Sequence, residues 1–335
     1  MHSLISQSVS LLAVLASLPL DCQARLQETW TPLASIPTDT LREQVTVAVT
    51  PQLLATVGGV VTGMATTNAL QFYNITSNAW SKGANVPLPV NHPNAAAVGG
   101  KVYLLGAFTT TTQNGIWKAV SNSAVYDPAT DAWKSLEPQP APIRGAGAVG
   151  VYNGTIYIAG GKAGTGQASV VDVSAYEVAT GKWLSLPEPA TKMPGPRDHA
   201  TGQIVGHKFY VLGGRDTGTN NVKGDVFILD LENLAAGWTT SKAKLPTARG
   251  GLCSGVVGTK IYTFGGEGNV AAGSRGVFNQ TEVYDTATDS WTSLNPMKTP
   301  RHGTSAATVN GVIYIPGGAT GQGVGDSKIL EAFTP

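Results

Sequence analysis

The sequence predicts an all-β propeller of six four-stranded sheets, because two sets of landmarks recur at a step of roughly 50 residues. A sheet of this kind cannot bury both of its faces alone, so the copies must stack, and a ring protects their edges. The first set is a glycine doublet and the second is a tryptophan. The doublets are Gly58-Gly59, Gly160-Gly161, Gly213-Gly214, Gly265-Gly266 and Gly317-Gly318, with a degraded Gly106-Ala107, and the tryptophans are Trp30, Trp80, Trp133, Trp183, Trp238 and Trp291.

The clearest copy of the repeat lies between Ile261 and Gly303. Its apolar strand ends in Gly265-Gly266, where the missing side chains permit a positive φ or a close approach of another backbone. Tyr284 and Trp291 follow, separated by a turn-forming segment, which predicts a hairpin with an aromatic residue on each strand. The same spacing separates Tyr73 from Trp80, Tyr126 from Trp133 and Tyr176 from Trp183.

The glycine doublet, the Tyr-Asp pair and the tryptophan at these offsets resemble the motif of the Kelch family, over about residues 26–335. The resemblance implies a six-bladed Kelch-type β-propeller. Two copies depart from the pattern. Ala107 replaces the second glycine of one doublet, and Leu229-Asp230 replaces Tyr-Asp before a longer run to Trp238.

The order of the landmarks predicts how the ring closes. The last copy contains Gly317-Gly318 and one more strand over residues 328–334, but no tryptophan follows it, whereas Trp30 precedes every doublet. We therefore expect an N-terminal strand carrying Trp30 to supply the outer strand of the sixth blade.

The composition and the N-terminal segment limit the classes of protein to which this chain can belong. Charged residues make up only 13% of the chain, about half the usual share, and the net charge is +1, so nucleic acid and acidic membranes are not expected partners. An apolar run from Leu11 to Leu18 and the small-residue pattern Cys22-Gln23-Ala24 read as a secretory signal. We expect a signal peptide over residues 1–24 and a single propeller domain over residues 25–335.

Further features fit a protein of the secretory pathway or the extracellular space. Sequons begin at Asn74, Asn153 and Asn279, which predicts N-glycosylation. Once the signal is removed, Cys253 is the only cysteine, so the domain must be stable without an internal disulfide. No membrane attachment is expected after removal of the signal.

A ring of polar residues is predicted at one face of the propeller, which we call the front, where the inner strands begin and the doublets end. Two interpretations stay open: arginines that bind neighbouring loop carbonyls, or a funnel of donors for a carboxylate, carbonyl or phenolate. An arginine stands sixteen residues before five of the six doublets, with Val90 as the exception. The arginines are Arg42, Arg144, Arg197, Arg249 and Arg301, and their neighbours add Glu43, His92, Asp198, His199 and His302.

The front loop of the second blade, predicted over residues 108–122, carries Trp117, the one tryptophan outside the repeat. Loops on a rigid scaffold usually carry specificity. Together with Phe108, Trp117 predicts an apolar rim above a polar throat. The alternative is that Trp117 only pins its loop to the next blade.

Several chemistries can be set aside. Copper radical oxidases that resemble galactose oxidase share the Kelch propeller, but they need two histidines, two tyrosines and a cysteine joined to one of those tyrosines. Here no two histidines are adjacent, and Cys253 begins an inner strand. Zinc needs three or four convergent ligands, which the spacing of His92, His199 and His302 does not demand. Nucleophile elbows, phosphate loops and dinucleotide fingerprints are missing in usable context, so we predict neither a metal nor a cofactor.

What remains is chemistry that needs only a shaped pocket and a few hydrogen-bond donors. Small secreted six-bladed Kelch-like proteins of this type resemble members of fungal natural-product pathways, including hetero-Diels–Alder cyclases that join a tropolone quinone methide to a terpene. The resemblance implies a cofactor-independent cyclase with a small, mostly apolar substrate in the front funnel. Arg144, Arg197, Arg249, Arg301, His199 and His302 would orient or polarise that substrate, and Trp117, Phe108, His92, Glu43, Arg42 and Asp198 would bind it.

Two other functions stay open. Sialic-acid mutarotases are similar six-bladed Kelch proteins, and their anionic sugar would suit a ring of arginines. A glycan-binding or protein-binding module without any chemistry would use the variable front loops instead.

Overall fold

The computed structural model describes residues 28–37, 44–61, 65–110, 117–165 and 168–335. Over these residues the chain forms six four-stranded antiparallel sheets, as the repeat predicts, and we number them blades 1 to 6. The predicted signal peptide lies outside the described residues. Within them, we find no helix with the length and apolar character required to cross a membrane.

Each blade contributes an inner, a second, a third and an outer strand. The inner strands are Val45–Thr50, Ala95–Val98, Ala148–Tyr152, Thr201–Val205, Cys253–Val257 and Ala307–Val309, and the second strands are Leu53–Val57, Lys101–Thr110, Thr155–Ala159, Lys208–Leu212, Lys260–Phe264 and Val312–Pro316. The third strands are Leu70–Asn74, Trp117–Asp127, Val173–Glu177, Val226–Asp230, Thr281–Asp285 and Leu330–Thr334. The outer strands are Ala79–Lys82, Ala132–Ser135, Lys182–Leu184, Trp238–Thr240, Ser290–Ser293 and Thr29–Pro32.

Short strands and two 3-10 helices lie on the front face and in the links between blades. Val60–Val61 pairs with Ala65–Thr66, Lys162–Ala163 pairs with both Arg144–Gly145 and Ala168–Ser169, and Ala319–Gly321 pairs with Val324–Asp326. Two 3-10 helices span Glu188–Ala190 and Leu234–Ala236.

The N-terminal strand completes blade 6. Thr29–Pro32 runs antiparallel to Leu330–Thr334, and Trp30 lies opposite Phe333. The ring of Trp30 packs on Phe333 at 5.0 Å and on Phe264 of blade 5 at 5.5 Å. The first and last strands of the domain are therefore hydrogen-bonded neighbours, and the ring closes through non-covalent contacts.

The tryptophans connect each blade to the one before it. Every indole N–H of the set donates to a backbone carbonyl just beyond the preceding outer strand, at distances from 2.8 Å for Trp80 to 3.4 Å for Trp30 and Trp291. The predicted hairpins are also present, since Tyr126 lies opposite Trp133 and Tyr284 opposite Trp291. The tryptophans therefore recur because each makes a contact between blades as well as a hairpin contact within its own blade.

The glycine doublets mark a close crossing between neighbouring blades. Gly265 has a φ of +57°, and a Cβ there would lie 2.2 Å from the carbonyl oxygen of Arg301. The N–H of Gly266 donates to that same carbonyl at 3.0 Å. A side chain at Gly265 would break this contact, which explains why the doublet recurs.

Blade 2 differs from the sequence prediction at its front loop. Its second and third strands continue as a long hairpin to Thr110 and from Trp117, with a register shift between Val120 and Ser123. Ala107 stands where the other doublets have a second glycine with positive φ, so the chain does not turn out of the sheet there. Much of the predicted loop over residues 108–122 is therefore strand.

Candidate functional site

A belt of backbone hydrogen bonds runs around the front end of the central channel. In blades 3 to 6, the N–H of the residue two positions after the repeat arginine donates to the carbonyl of the equivalent residue in the preceding blade, at 2.9 to 3.2 Å. The donors are Ala146, His199, Gly251 and Gly303, and the carbonyl of His92, two positions after Val90 in blade 2, accepts from Ala146. All five residues have a positive φ, from 47° at His92 to 63° at Gly303, with 54° at His199.

Two of these positions carry histidine, although the conformation favours glycine. A left-handed conformation costs a residue with a side chain on the order of 1 kcal/mol. Blades 5 and 6 use glycine here, so the backbone belt does not require an imidazole. The side chains of His92 and His199 must therefore be explained by something other than the fold.

The two imidazoles meet across the channel. Their Nε2 atoms are 2.9 Å apart, and both residues are buried. A carboxylate oxygen can only accept, so the Nδ1–H of His199 donates to Asp198 at 2.5 Å. In neutral His199 the Nε2 atom is then an acceptor, and His92 supplies the proton between the rings.

The other ring nitrogen of His92 faces an adaptable partner. Its Nδ1 lies 2.6 Å from the side-chain oxygen of Asn91, whose amide nitrogen donates to Thr66 at 2.8 Å. An amide presents an oxygen to a donor or an N–H to an acceptor. The amide of Asn91 can therefore pair with either tautomer of the His92 ring.

A buried ionic network extends from His199 across blades 4, 5 and 6. Arg215 donates to Asp198 at 2.9 Å and to Glu267, and it approaches the Nε2 atom of His199 at 3.1 Å. Ser169 donates to the second oxygen of Asp198. On the other side, the Nδ1 atom of His302 lies 3.6 Å from Glu267, while its Nε2 atom donates to the carbonyl of Gly321 at 3.2 Å.

The network sets the protonation of its members. Burial lowers the pKa of His199, and the positive charge of Arg215 lowers it further. Burial alone would raise the pKa of Asp198, but its hydrogen bond to His199 and the charges of His199, Arg215 and Lys162 hold that pKa well below its usual range. At neutral pH the site thus contains an Asp198 carboxylate, which orients a neutral His199.

Arg215 and Glu267 were missed by the sequence reasoning, although a signal was present. Each follows a glycine doublet directly. The equivalent residues of the other blades are Val60, Phe108, Lys162 and Ala319. An arginine and a glutamate at one repeat position in adjacent blades predict an ion pair at the channel mouth.

The repeat arginines differ from the predicted funnel. The described ones, Arg144, Arg197, Arg249 and Arg301, are buried and do not line the channel. Arg144 donates to Gly160 O at 2.8 Å and to four further oxygen atoms of its own region. The others form ion pairs with carboxylates of their own blades, which are Asp225, Glu282 and Glu331.

This placement favours the interpretation in which the arginines hold the loops of the repeat. Most of the guanidinium donors are directed at carbonyls and carboxylates, and the Nε atoms of Arg197 and Arg301, which lack a partner, are buried in side chains that do not line the channel. We therefore leave these arginines out of the proposed site. Arg42 and Glu43 lie outside the described residues.

Several of the predicted binding residues do meet at the front. The His92 ring lies 4.7 Å from Trp117 and 5.6 Å from Phe108, centroid to centroid, with Phe108 in an edge-to-face arrangement. Phe108 is fully buried, whereas Trp117 is half-buried. The aromatic pair therefore fixes the position of the imidazole rather than forming an open rim. Asp198 and His199 complete the group on the opposite side.

Behind the histidines, the channel encloses a cavity of about 380 Å³. Its wall is built from all six inner strands and the residues that precede them, and His92 and His199 stand at its front end. Among the described residues, no Asp, Glu, Lys or Arg lines it. The polar side chains of the wall are Gln44, Thr46, Thr201, Gln203, Ser254, Thr304 and Ser305.

Neither a metal site nor a reactive thiol is evident in the part of the chain that the structure describes. No three His, Cys, Asp or Glu side chains there are grouped in a way that could hold a metal ion. Cys253 is buried in the channel wall, and burial raises the pKa of its thiol to about 12. A thiol of that pKa is a poor nucleophile at neutral pH.

Comparison with protein families agrees with the architecture. Residues 91–318 match the family model of the KLHDC2/KLHL20/DRC7 Kelch-repeats domain. The chain belongs to the Kelch-repeat family.

Among relatives of this Kelch chain, Kelch-like protein terF of Aspergillus terreus is 38% identical over 277 residues, covering 81% of this chain and 59% of the relative. Human Kelch domain-containing protein 3 is 26% identical, covering 69% and 64%. The chain thus spans about three fifths of the length of these relatives. A sulfolyase of Thlaspi arvense that acts on N-(sulfonatooxy)prop-2-enimidothioate is 24% identical over 164 residues, covering 46% and 45%. The solved structure of YjhT superposes with a TM-score of 0.73 at 16% identity, covering 90% of this chain and 97% of that one.

The three predicted sequons of the Kelch domain lie at different places on it. Asn74 ends the third strand of blade 1, and its side chain accepts from the N–H of Ser77 at 3.0 Å. Asn153 is exposed in the turn after the inner strand of blade 3. Asn279 is half-buried, just before the third strand of blade 5. Exposure therefore favours Asn153 as an acceptor, and glycosylation stays a prediction.

Proposed function

We propose that the protein is a cofactor-independent cyclase of natural-product biosynthesis, which closes a ring by a hetero-Diels–Alder cycloaddition between a quinone methide and a terpene. The observation that carries the proposal is the pair of histidines held in left-handed conformations at the end of a cavity that no Asp, Glu, Lys or Arg of the described residues lines. The fold is maintained by glycine at the equivalent positions, so the imidazoles are best explained by contact with a ligand.

The chemistry requires only a hydrogen-bond donor and a shaped pocket. In the cycloaddition, the heterodiene C=C–C=O and an alkene form one C–C and one C–O bond, three π bonds become one, and no proton is gained or lost. Electron density on the carbonyl oxygen changes along the reaction, and a donor aimed at that oxygen polarises the heterodiene. Holding the two reacting fragments in register is a large contribution in itself.

The residues assigned to these roles differ from those of the sequence prediction. The Nε2–H of His92, now directed at His199, would turn to the carbonyl oxygen of the substrate. Asp198 and Arg215 keep His199 neutral and oriented, so that it accepts from His92 until the substrate carbonyl takes its place. Trp117 and Phe108 hold the His92 ring from the side.

The composition of the cavity favours a neutral substrate over an anionic sugar. The mutarotase alternative depends on arginines that bind a carboxylate, and none of the described arginines lines the cavity. Burying an unpaired carboxylate in such a site is costly. The relationship to terF and to a small-molecule sulfolyase supports an enzyme on small organic substrates, although the sulfolyase matches less than half of either chain.

The test is a cycloaddition assay with a quinone methide precursor and a polyene terpene. We expect the protein to increase the rate and to change the product ratio relative to a protein-free control. His92→Asn should lower the rate about a hundredfold, as the loss of one preorganised donor does elsewhere. His207→Asn is the matched control, because His207 is a partly exposed histidine on the back of blade 4. Product ratios equal to those without protein would end the proposal.

A further inference from the structure

We infer that the ligand of this site lies inside the central channel, enters it from the back face, and is a neutral, mostly apolar molecule. The inference deepens the proposed function. It rests on that function only for the reaction at the end of the channel where the two histidines lie. It replaces the front funnel expected from the sequence with a route through the opposite side of the ring.

The front end of the channel is filled by side chains. Where an open polar throat was expected, His92, His199, Glu267 and His302 contact each other or Arg215, and none of the four is more than 9% exposed. The backbone belt also ties His92 and His199 to Ala146 of the blade between them. A ligand arriving from the front would have to break buried ionic contacts, and that is expensive.

In the inner strands of blades 2 and 5, exposure increases toward the back. Both faces of an inner strand pack against neighbouring blades, so a half-exposed residue in mid-strand can be exposed only to the channel. In blade 5, Cys253 and Ser254 at the front are buried, whereas Val256 is half-exposed. In blade 2, Ala95 and Ala96 are buried, whereas Ala97 and Val98 are half-exposed. Because the front end is filled, this gradient points to the back end as the way into the cavity.

The wall identifies the class of ligand. Apart from the two histidines, the side chains are uncharged, and most are alanine, glycine or valine. The inner strand is also the edge of each sheet, so unpaired backbone groups face the channel and can bind a ligand's few polar atoms. A cavity of about 380 Å³ falls within the usual range for small-molecule sites.

Two fluorescent probes test the inference, because they share one ring system and differ by a charge. N-phenyl-1-naphthylamine is neutral, and 8-anilino-1-naphthalenesulfonate is the same skeleton with a sulfonate. The uncharged wall predicts that the neutral probe binds at least about tenfold more tightly. Ser305→Trp, which places an indole in the channel wall from blade 6, should abolish that binding.

Three controls make the result interpretable. Ser305→Ala should keep the binding, and Ser135→Trp on the exposed outer strand of blade 2 should not affect it. Ala97→Phe blocks the channel from blade 2 and serves as a second plug if Ser305→Trp fails to fold. Equal affinity for both probes, or full binding by a folded plugged variant, would overturn the inference. Neither probe reacts, so a channel that binds the neutral probe without cyclase activity would refute the proposed function and leave this inference standing.

Discussion

The Arg215–Glu267 pair provides the sharpest test of a closed front end. The change is Glu267→Leu, which keeps the approximate size of the side chain and removes the carboxylate. Glu267 is 3% exposed and Arg215 is 8% exposed, and among the described residues Arg215 would keep Asp198 as a carboxylate partner. Breaking a buried pair from one side costs about 3–5 kcal/mol, because a buried charge loses its partner.

This cost can be expressed as a shift in melting temperature. At about 2 cal/mol/K of unfolding entropy per residue, a domain of roughly 300 residues has an unfolding entropy of about 0.6 kcal/mol/K, so the expected shift is about 5–8 °C downward. Differential scanning calorimetry measures it directly. The matched control is Glu137→Leu, since Glu137 and Lys182 form an exposed pair at 3.7 Å. That change should shift the midpoint by less than about 2 °C.

Two outcomes are informative. If the double variant Arg215→Met/Glu267→Leu is more stable than Glu267→Leu alone, the lost stability came from the unpaired charge and not from lost packing. A Glu267→Leu shift no larger than that of Glu137→Leu would show that water reaches the pair. The front end would then be open, and the reasoning about the route of the ligand would fail with it.

Two further predictions concern ring closure and pH. In urea unfolding, Trp30→Ala should lower the free energy of unfolding by about 2–4 kcal/mol, as much as Trp183→Ala at the same repeat position. A much smaller effect would mean that the N-terminal strand is dispensable. The pKa of His199 is lowered in the folded state, so the unfolded chain binds more protons, and stability should fall as pH drops below about 6.5. His199→Asn should flatten that part of the profile, and an unchanged slope would contradict the assignment.

The fold could be predicted from the sequence because its landmarks are contacts that every blade must make. Trp30 and Trp291 donate to the preceding blade, and Gly265 lies against the carbonyl of Arg301. These contacts depend on the backbone path, which repeats with the sequence. The degraded doublet at Ala107 was not read in this way: the chain stays in the sheet there, and much of the predicted loop over residues 108–122 is strand.

The candidate site was less predictable, because spacing gives a residue's place in the blade but not the direction of its side chain. Arg249 and Arg301 take their positions from the repeat, yet their partners Glu282 and Glu331 follow loops of different length. The number of residues between an arginine and its carboxylate partner therefore differs from blade to blade. The arginines therefore look alike in the sequence whether they face the channel or the blade interior.

The same geometry explains why the chemistry gathers where it does. The belt around the channel is made of backbone groups, so it forms equally well with alanine at 146, glycine at 251 or histidine at 199. Side chains at these positions and directly after the doublets can therefore vary without loss of the ring. His92, His199, Arg215 and Glu267 occupy four such positions and convert a nearly symmetric scaffold into an asymmetric polar cluster. A change of ligand should accordingly be reached through these positions and the small residues of the channel wall, while the buried arginines stay as they are.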